Sequence, residues 1–340
     1  MKKIIRTILA LAMALALCAC AAPAAAPAAT EAPAAATPAA PAEPAAPAAT
    51  DASKPLKIGI IQLTQHAALD AACEGFVEGI NTAGLNVEID VQNAQGEQAI
   101  CSTIATKFVN DGVDLIMAIA TPAAQAAAQA TKNIPILITA VTDPVSAGLV
   151  ASNEAPGGNV SGTSDMNPVA KQIDLLIKLA PTAKTVGIMY NSSEDNSIIQ
   201  ADMARAAIEA QGLTAVELTV SASNEVQAVA QSAIGKVDAL YLPTDNLMAD
   251  TIATISMVVT PAGIPIICGE SNMVNGGGLA TYGISYKQLG LQTAAQAIKI
   301  LAEGADISTM PIEFCSADLE LTINQDIATQ LGITIPADLK

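Results

Sequence analysis

From about Leu56 onward two hydrophobic patterns alternate along the chain. Short runs of aliphatic and β-branched residues, apolar at nearly every position, are separated by longer stretches with apolar residues at helical spacing. The first run, Leu56-Lys57-Ile58-Gly59-Ile60-Ile61-Gln62, predicts a strand, and residues 67–83 predict a helix. Strands are predicted at 86–91, 115–120 and 134–140, and helices at 97–111 and 122–131. Strands separated by helices of this length imply βαβ units and a parallel sheet. Runs that are apolar throughout fit strands covered by helices on both faces.

The pattern then restarts. Thr185-Val186-Gly187-Ile188-Met189-Tyr190 has the character of the first run. Strands follow at 214–219, 239–242 and 265–268, with helices at 198–211, 225–234 and 250–261. Residues 279–336 add a strand, a long helix over 286–302, a second strand over 312–323 and a final helix. The body therefore divides into two similar α/β halves that meet near residues 159–167, with a cleft expected between them. Ligands of open parallel sheets sit beyond the carboxyl ends of the strands, so the loops after each strand are the ones to inspect.

The first 54 residues break this pattern. Lys2, Lys3 and Arg6 form a positive head, and Ile8 to Leu17 an apolar segment. At about ten residues, that segment has the length of a secretory signal core and is too short to span a bilayer. It stops at Leu17-Cys18-Ala19-Cys20, which resembles a bacterial lipobox cut before Cys20, whose thiol would then carry lipid. Bulky Leu17 makes Cys18 the poorer choice, and an ordinary signal peptide with two incidental cysteines is the plainer alternative. Residues 21–54 are almost only Ala and Pro. Without large apolar side chains this stretch cannot offset the entropy of folding. It reads as a semi-rigid tether of roughly 3 Å per residue, reaching as far as about 100 Å. A tethered body outside the cell meets solutes, which points to capture, sensing or extracellular chemistry.

Composition narrows this further. Lys+Arg 15 against Asp+Glu 32 gives a formal charge of −17. That balance argues against nucleic acid and anionic lipid surfaces as partners. Cys73, Cys101, Cys268 and Cys315 are widely and irregularly spaced, and buried free thiols are the expected state. With no C-x-x-C and His66 the only histidine, a zinc site is not expected. Aromatic stacking has few rings to draw on: Tyr 4, Phe 3 and Trp 0. A G-x-S-x-G elbow, a P-loop and a metal-ligand cluster are all missing from the sequence, so nothing marks an enzyme.

The loops after the strands carry the candidate chemistry. Leu63-Thr64-Gln65-His66-Ala67-Ala68-Leu69-Asp70 offers a hydroxyl, an amide and an imidazole at the mouth of a helix. Thr121 and Pro122 read as N-cap and N1 of the next helix, whose free N–H groups also suit an anion. Val141-Thr142-Asp143-Pro144 follows the fourth strand. In the second half, Tyr190 to Ser197 opens a helix with Ser and Asn groups that either cap it or hold a carboxylate. Glu194 and Asp195 suit the helix dipole but oppose an anionic ligand unless they face away. Asp245, in Pro243-Thr244-Asp245-Asn246, is placed either to bind an ammonium group or to cap the following helix. Gly269-Glu270-Ser271-Asn272 completes the set.

These loops, with Gly158-Asn159-Val160-Ser161-Gly162-Thr163-Ser164-Asp165 and Leu279-Ala280-Thr281-Tyr282-Gly283-Ile284, run in register from about Lys57 to the end. Together they resemble substrate-binding proteins of ABC transporters, in the subfamily named for tryptophan and tyrosine uptake. The resemblance implies a type I periplasmic-binding-protein fold: two Rossmann-like doubly wound lobes with three crossovers. It implies a signal over 1–20, a linker over 21–54, lobe 1 from 55–162 plus 279–308, and lobe 2 from 163–278 plus 309–340. It also implies a small solute, an amino acid with a hydrophobic or aromatic side chain, delivered to a permease and its ATPase by a lipid-anchored, extracytoplasmic monomer. No cofactor, metal or catalytic residue is implied. By similarity the carboxylate would meet Thr121 and the Ser193, Asn196 and Ser197 group, and the ammonium Asp245. Thr64, His66 and Leu69 would line the side-chain pocket. Pro122, Asp143, Tyr190, Thr244, Asn246 and Glu270 complete the expected binding residues. A ligand sensor of the same fold for a membrane receptor, and an extracellular enzyme, are the competing functions.

Overall fold

The computed structural model describes residues 54–339. The signal, Cys20 and nearly all of the Ala/Pro stretch lie outside the described residues. The first five strands are β1 (Leu56–Gln62), β2 (Val87–Asn93), β3 (Leu115–Ile119), β4 (Ile136–Val141) and β5 (Val160–Ser164). Between them run α1 (Ala67–Thr82), α2 (Gln98–Asp111) and α3 (Thr121–Ala130). The second group holds α4 (Val169–Leu179), β6 (Thr185–Asn191), α5 (Asp195–Ala210), β7 (Thr214–Val220), α6 (Val226–Ala233), β8 (Ala239–Leu242) and α7 (Asn246–Val259). β9 (Ile266–Cys268), α8 (Ser271–Asn275) and β10 (Ala280–Gly283) follow. The chain ends with α9 (Tyr286–Glu303), β11 (Glu313–Phe314), β12 (Glu320–Ile323) and α10 (Gln325–Gln330).

These strands form two six-stranded sheets of matching order, β11-β5-β4-β3-β1-β2 and β12-β10-β9-β8-β6-β7. Every pairing is parallel except β10 with β12. β3 and β4 are buried at every position, whereas the outer strands β2 and β7 expose alternate residues to solvent. Apolar runs read along the sequence thus correspond to central strands sandwiched between helices. The chain crosses between the lobes three times: from β5 to α4, from β10 to α9, and from β11 to β12. α9 packs against α1 and so returns to the first lobe.

The sheet pairings move several expected boundaries. β5 pairs with β4 over residues 160–164, so the first lobe runs past 162. β10 pairs with β9 and β12 and belongs to the second sheet, not to a lobe 1 segment beginning at 279. The expected strand over 312–323 is two strands in different sheets, because the chain crosses between lobes through residues 315–319. Lobe 1 therefore also takes Glu313–Phe314, beyond 308. Hydrophobic periodicity tells strand from helix but not which sheet a strand joins. β5, α4 and the short α8 were not anticipated.

Two alanines at the cleft ends of central strands hold left-handed backbone. Ala120, after β3, has φ 83 and ψ 155, and Ala140, in β4, has φ 54. Such conformations cost about 1–3 kcal/mol each and persist where the surroundings over-determine them, commonly at ligand sites. Close by, β4 and β5 shift register between Ile138 and Val141. Gly162 sits opposite with φ +140, where a Cβ would come within 2.1 Å of the Ile138 carbonyl oxygen.

Candidate functional site

The carboxyl ends of the two sheets face each other across a narrow, nearly closed cavity. On the first-lobe side it is lined by His66, Ala68 and Leu69 at the start of α1, by Ala140 near the end of β4 and by Thr142 just after it. Asp165 and Tyr286, at the first two crossovers, close one end. The second lobe contributes Asn196 from α5, Thr244, Asp245, Asn246 and Ala249 around the start of α7, and Glu270 before α8. An outer polar trough, sharing Asn246, lies between Thr64 and Glu97 of one lobe and Asn191, Glu194, Ser221 and Asp250 of the other.

Hydrogen bonds join the two walls. The His66 Nε2–H donates to Asn246 Oδ1 at 3.3 Å, Gln125 Nε2 to Asp195 Oδ2 at 2.8 Å, and Gln200 Nε2 to Thr142 Oγ1 at 3.2 Å. Burial lowers the pKa of His66, favouring a neutral ring that donates through Nε2 and presents Nδ1 as an acceptor. His66 Nδ1 and Asn196 Oδ1 are buried and accept no hydrogen bond from any described residue. Buried polar atoms are nearly always paired, so unpaired ones on facing cavity walls mark a place for something that donates to them.

The cavity is strongly acidic. Asp165, Asp245 and Glu270 are each 2% exposed. Burial pushes the carboxyls of Asp165 and Asp245 upward and lifts Glu270 to about 7. Glu194, beside them in the trough, shifts the same way, by burial and by its neighbour Asp245. Among the described residues, no lysine or arginine lines either space. Buried acids without a protein cation form a site that attracts a cationic group.

Each acid has a local job as well. Asp245 caps α7 by accepting the Met248 N–H at 2.9 Å and also takes the Asn191 N–H at 2.6 Å, tying the end of β6 to α7. Glu270 caps α8, accepting the N–H groups of Asn272 at 2.7 Å and Met273 at 2.8 Å. Glu194 gathers the side-chain amides of Asn191, Asn196 and Asn246. Asp165 accepts the hydroxyls of Tyr286 at 2.7 Å and Thr142 at 3.1 Å.

Of the residues singled out from sequence, His66, Leu69, Asn196, Thr244, Asp245, Asn246 and Glu270 line the cavity, and Thr64 lines the trough. Ser197 is buried behind Asn196, whose amide it accepts, and its hydroxyl reaches Asp245. Thr121 is the first residue of α3 rather than its N-cap, which is Ala120. Thr121 and Pro122 are buried there without lining the cavity, and Thr121 Oγ1 accepts and donates nothing among the described residues. Three expectations are corrected. Tyr190 is packed in the core of the second lobe. Asp143 is taken up by its own loop, accepting from Val145 N, Ser146 N and Ser146 Oγ. Ser193 is exposed at the loop tip. Thr142, Asp165, Glu194 and Tyr286 escaped the sequence reading as site residues. Position after a strand was a signal for the first two; only the folded crossover brings in Tyr286.

The sequence matches the family of ABC transporter substrate binding proteins over residues 57–340. The chain belongs to that family. As a substrate-binding protein of an ABC transporter it is 45% identical over 288 residues to a tyrosine-binding protein of Clostridioides difficile (strain R20291), covering 84% of this chain and 83% of that one. Its fold matches that of an ABC domain from Streptococcus pneumonia, itself solved in complex with L-Trp, at TM-score 0.81 and 37% identity, over 84% of this chain and 97% of the other. A ligand-free, open substrate-binding protein with adhesive properties from Clostridium difficile matches at TM-score 0.65 and 47% identity, over 83% and 97%. The open structure is closer in sequence yet superposes less well. The lobes of this substrate-binding protein are therefore arranged nearer to the L-Trp complex, in keeping with the hydrogen bonds across its cleft.

Proposed function

We propose that this protein captures a free amino acid with an aromatic side chain in the interlobe cavity and hands it to the permease of an ABC importer. The observation that carries the reading is the buried set Asp165, Asp245 and Glu270, two on the second-lobe wall and one at the crossover, with no protein cation. An amino acid's ammonium supplies the missing charge. The tyrosine-binding relative and the L-Trp complex support an aromatic side chain. The unpaired His66 Nδ1 suits a side chain that carries a donor, as a phenol or an indole does. The start of α3, where Thr121 Oγ1 lies buried and unpaired, supports a nearby place for the carboxylate.

The work is binding, not catalysis. The ring nitrogen of the single histidine that faces the other lobe is committed to Asn246, and no hydroxyl or thiol is hydrogen-bonded to the imidazole among the described residues. Binding proteins of ABC importers act outside the cytoplasm. The positive head, apolar run and Cys20 support export and lipid anchoring, with the Ala/Pro stretch as tether. Isothermal titration of the purified protein with the twenty amino acids tests the reading. Tyrosine or tryptophan should bind most tightly, and heat from none of the panel would refute it.

A further inference from the structure

We propose that Asp165, at the first crossover between the lobes, is the residue that seats the ligand's ammonium group, with Asn196 Oδ1 as its other acceptor. The inference rests on the amino-acid reading above and deepens it. It also departs from the role that resemblance gives to Asp245.

The argument is one of available oxygens. Asp245 is held between two backbone N–H groups, at 2.6 and 2.9 Å, from two different elements. Drawing it toward a ligand would strip both the cap of α7 and the anchor of the end of β6. Glu194 is saturated by three side-chain amides and lies in the outer trough. Asp165 instead accepts two side-chain hydroxyls, from Thr142 and Tyr286. Hydroxyl hydrogens rotate, so both donors can turn away without moving a backbone. The Thr142 hydroxyl already accepts from Gln200, and the Tyr286 hydroxyl lies within reach of the Thr244 side chain.

An independent observation points to the same place. Asn196 is 6% exposed and lines the same cavity, and its Oδ1 accepts nothing among the described residues. An ammonium brings three N–H donors. A carboxylate at the crossover and a free amide oxygen on α5 give it two acceptors inside the cavity. One of those belongs to the second lobe and the other to the crossover that leaves the first, so the seated ammonium bridges them. Binding energy at this point is thus also closure energy.

The test compares L-tyrosine with its des-amino analogue, 3-(4-hydroxyphenyl)propanoate, by isothermal titration on wild type, Asp165→Asn and Asp245→Asn. Wild type should prefer L-tyrosine strongly. Asp165→Asn should shrink that preference by about tenfold or more, the loss expected of a charge-assisted contact. Asp245→Asn should weaken both ligands together. Equal weakening of both ligands by Asp165→Asn, or an unchanged preference, overturns the proposal. If Asp165→Asn does not fold, a crystal structure of the wild-type complex decides. An ammonium nitrogen within hydrogen-bond distance of the Asp165 carboxylate supports the seat, and one bound elsewhere overturns it. Wild type that binds L-tyrosine and the analogue equally overturns the ammonium seat alone. Wild type that binds no amino acid overturns the amino-acid reading itself, and the seat with it.

Discussion

Glu270 keeps a carboxyl group where water scarcely reaches, and the cost of charging it there depends on pH. Two backbone N–H groups favour its ionised form, yet burial outweighs them and lifts its pKa to about 7. Unfolded, the same carboxyl would titrate near its usual value of about 4.3. Between those values the folded protein binds more protons than the unfolded chain, so stability falls as pH rises through the window. Burial moves Asp165, Asp245 and Glu194 the same way, and their contributions add. Asp90 and Asp238 shift downward through hydrogen bonds, but such groups act below the usual carboxylate range, outside the window. His66, lowered by burial, acts inside the window with the opposite sign, one group against four acids. The protein without ligand should therefore melt at a lower temperature at pH 8 than at pH 5.5. Glu270→Gln should flatten that slope, and scanning fluorimetry across the range reads both. A cationic ligand favours the ionised carboxylates, so its affinity should rise over the same interval. Titration calorimetry at pH 5.5, 6.5 and 7.5 checks this; an affinity that falls as pH rises would refute cation recognition in the cavity.

At the scale of elements, the seam between α1 and α9 makes one lobe out of distant parts of the chain. A Cβ at Gly290 would lie 2.1 Å from the Ala72 carbonyl oxygen and 2.8 Å from the Phe76 nitrogen, and one at Gly75 would lie 2.3 Å from the Lys287 carbonyl oxygen. Glycine lets the two helix backbones touch. Gly290→Ala should destabilise the protein by about 1–3 kcal/mol through overpacking. Gly158→Ala, with open space around it and no left-handed backbone, should be close to neutral. Urea midpoints at unchanged m-value separate the two cases. The seam also shows what was legible beforehand. The helices at 67–83 and 286–302 are plain from apolar spacing, but nothing in that spacing says that they touch. The buried apolar strands were equally plain. β5, Val160-Ser161-Gly162-Thr163-Ser164, was not, because its polar residues are buried by hydrogen bonds to neighbouring elements. Thr163 Oγ1 bonds the Thr139 hydroxyl at 2.9 Å, and Ser161 Oγ the Met310 carbonyl at 2.8 Å. The site was legible as loops and only partly as a cavity. An Asp before a helix reads alike whether it caps, binds or does both, and Asp245 and Asp143 differ only once the lobes face each other.

The molecule as a whole is a two-state device, and its contacts across the cleft set the balance between states. Some of them lie where a ligand would, and others do not. Gln125 of α3 reaches Asp195 at the start of α5 at 2.8 Å, away from the cavity lining. Its amide also donates to the Ala147 carbonyl within its own lobe, at 3.2 Å, so its loss leaves a single contact broken between lobes. An exposed hydrogen bond of this kind contributes about 0.5–1.5 kcal/mol. Because apparent affinity scales with the fraction of binding-competent protein, Gln125→Ala should weaken amino-acid binding by about two- to tenfold without touching the ligand. The loss should fall on the dissociation rate, since the open form that admits ligand is unchanged while the closed form is released sooner. Stopped-flow binding gives the two rates. X-ray scattering without ligand should show a larger radius of gyration for the variant than for wild type, in the direction of an open cleft. The variant should bind L-tyrosine and its des-amino analogue with the same proportional loss, because closure serves both. A loss confined to one of them would mean that Gln125 acts on the ligand rather than on the lobes.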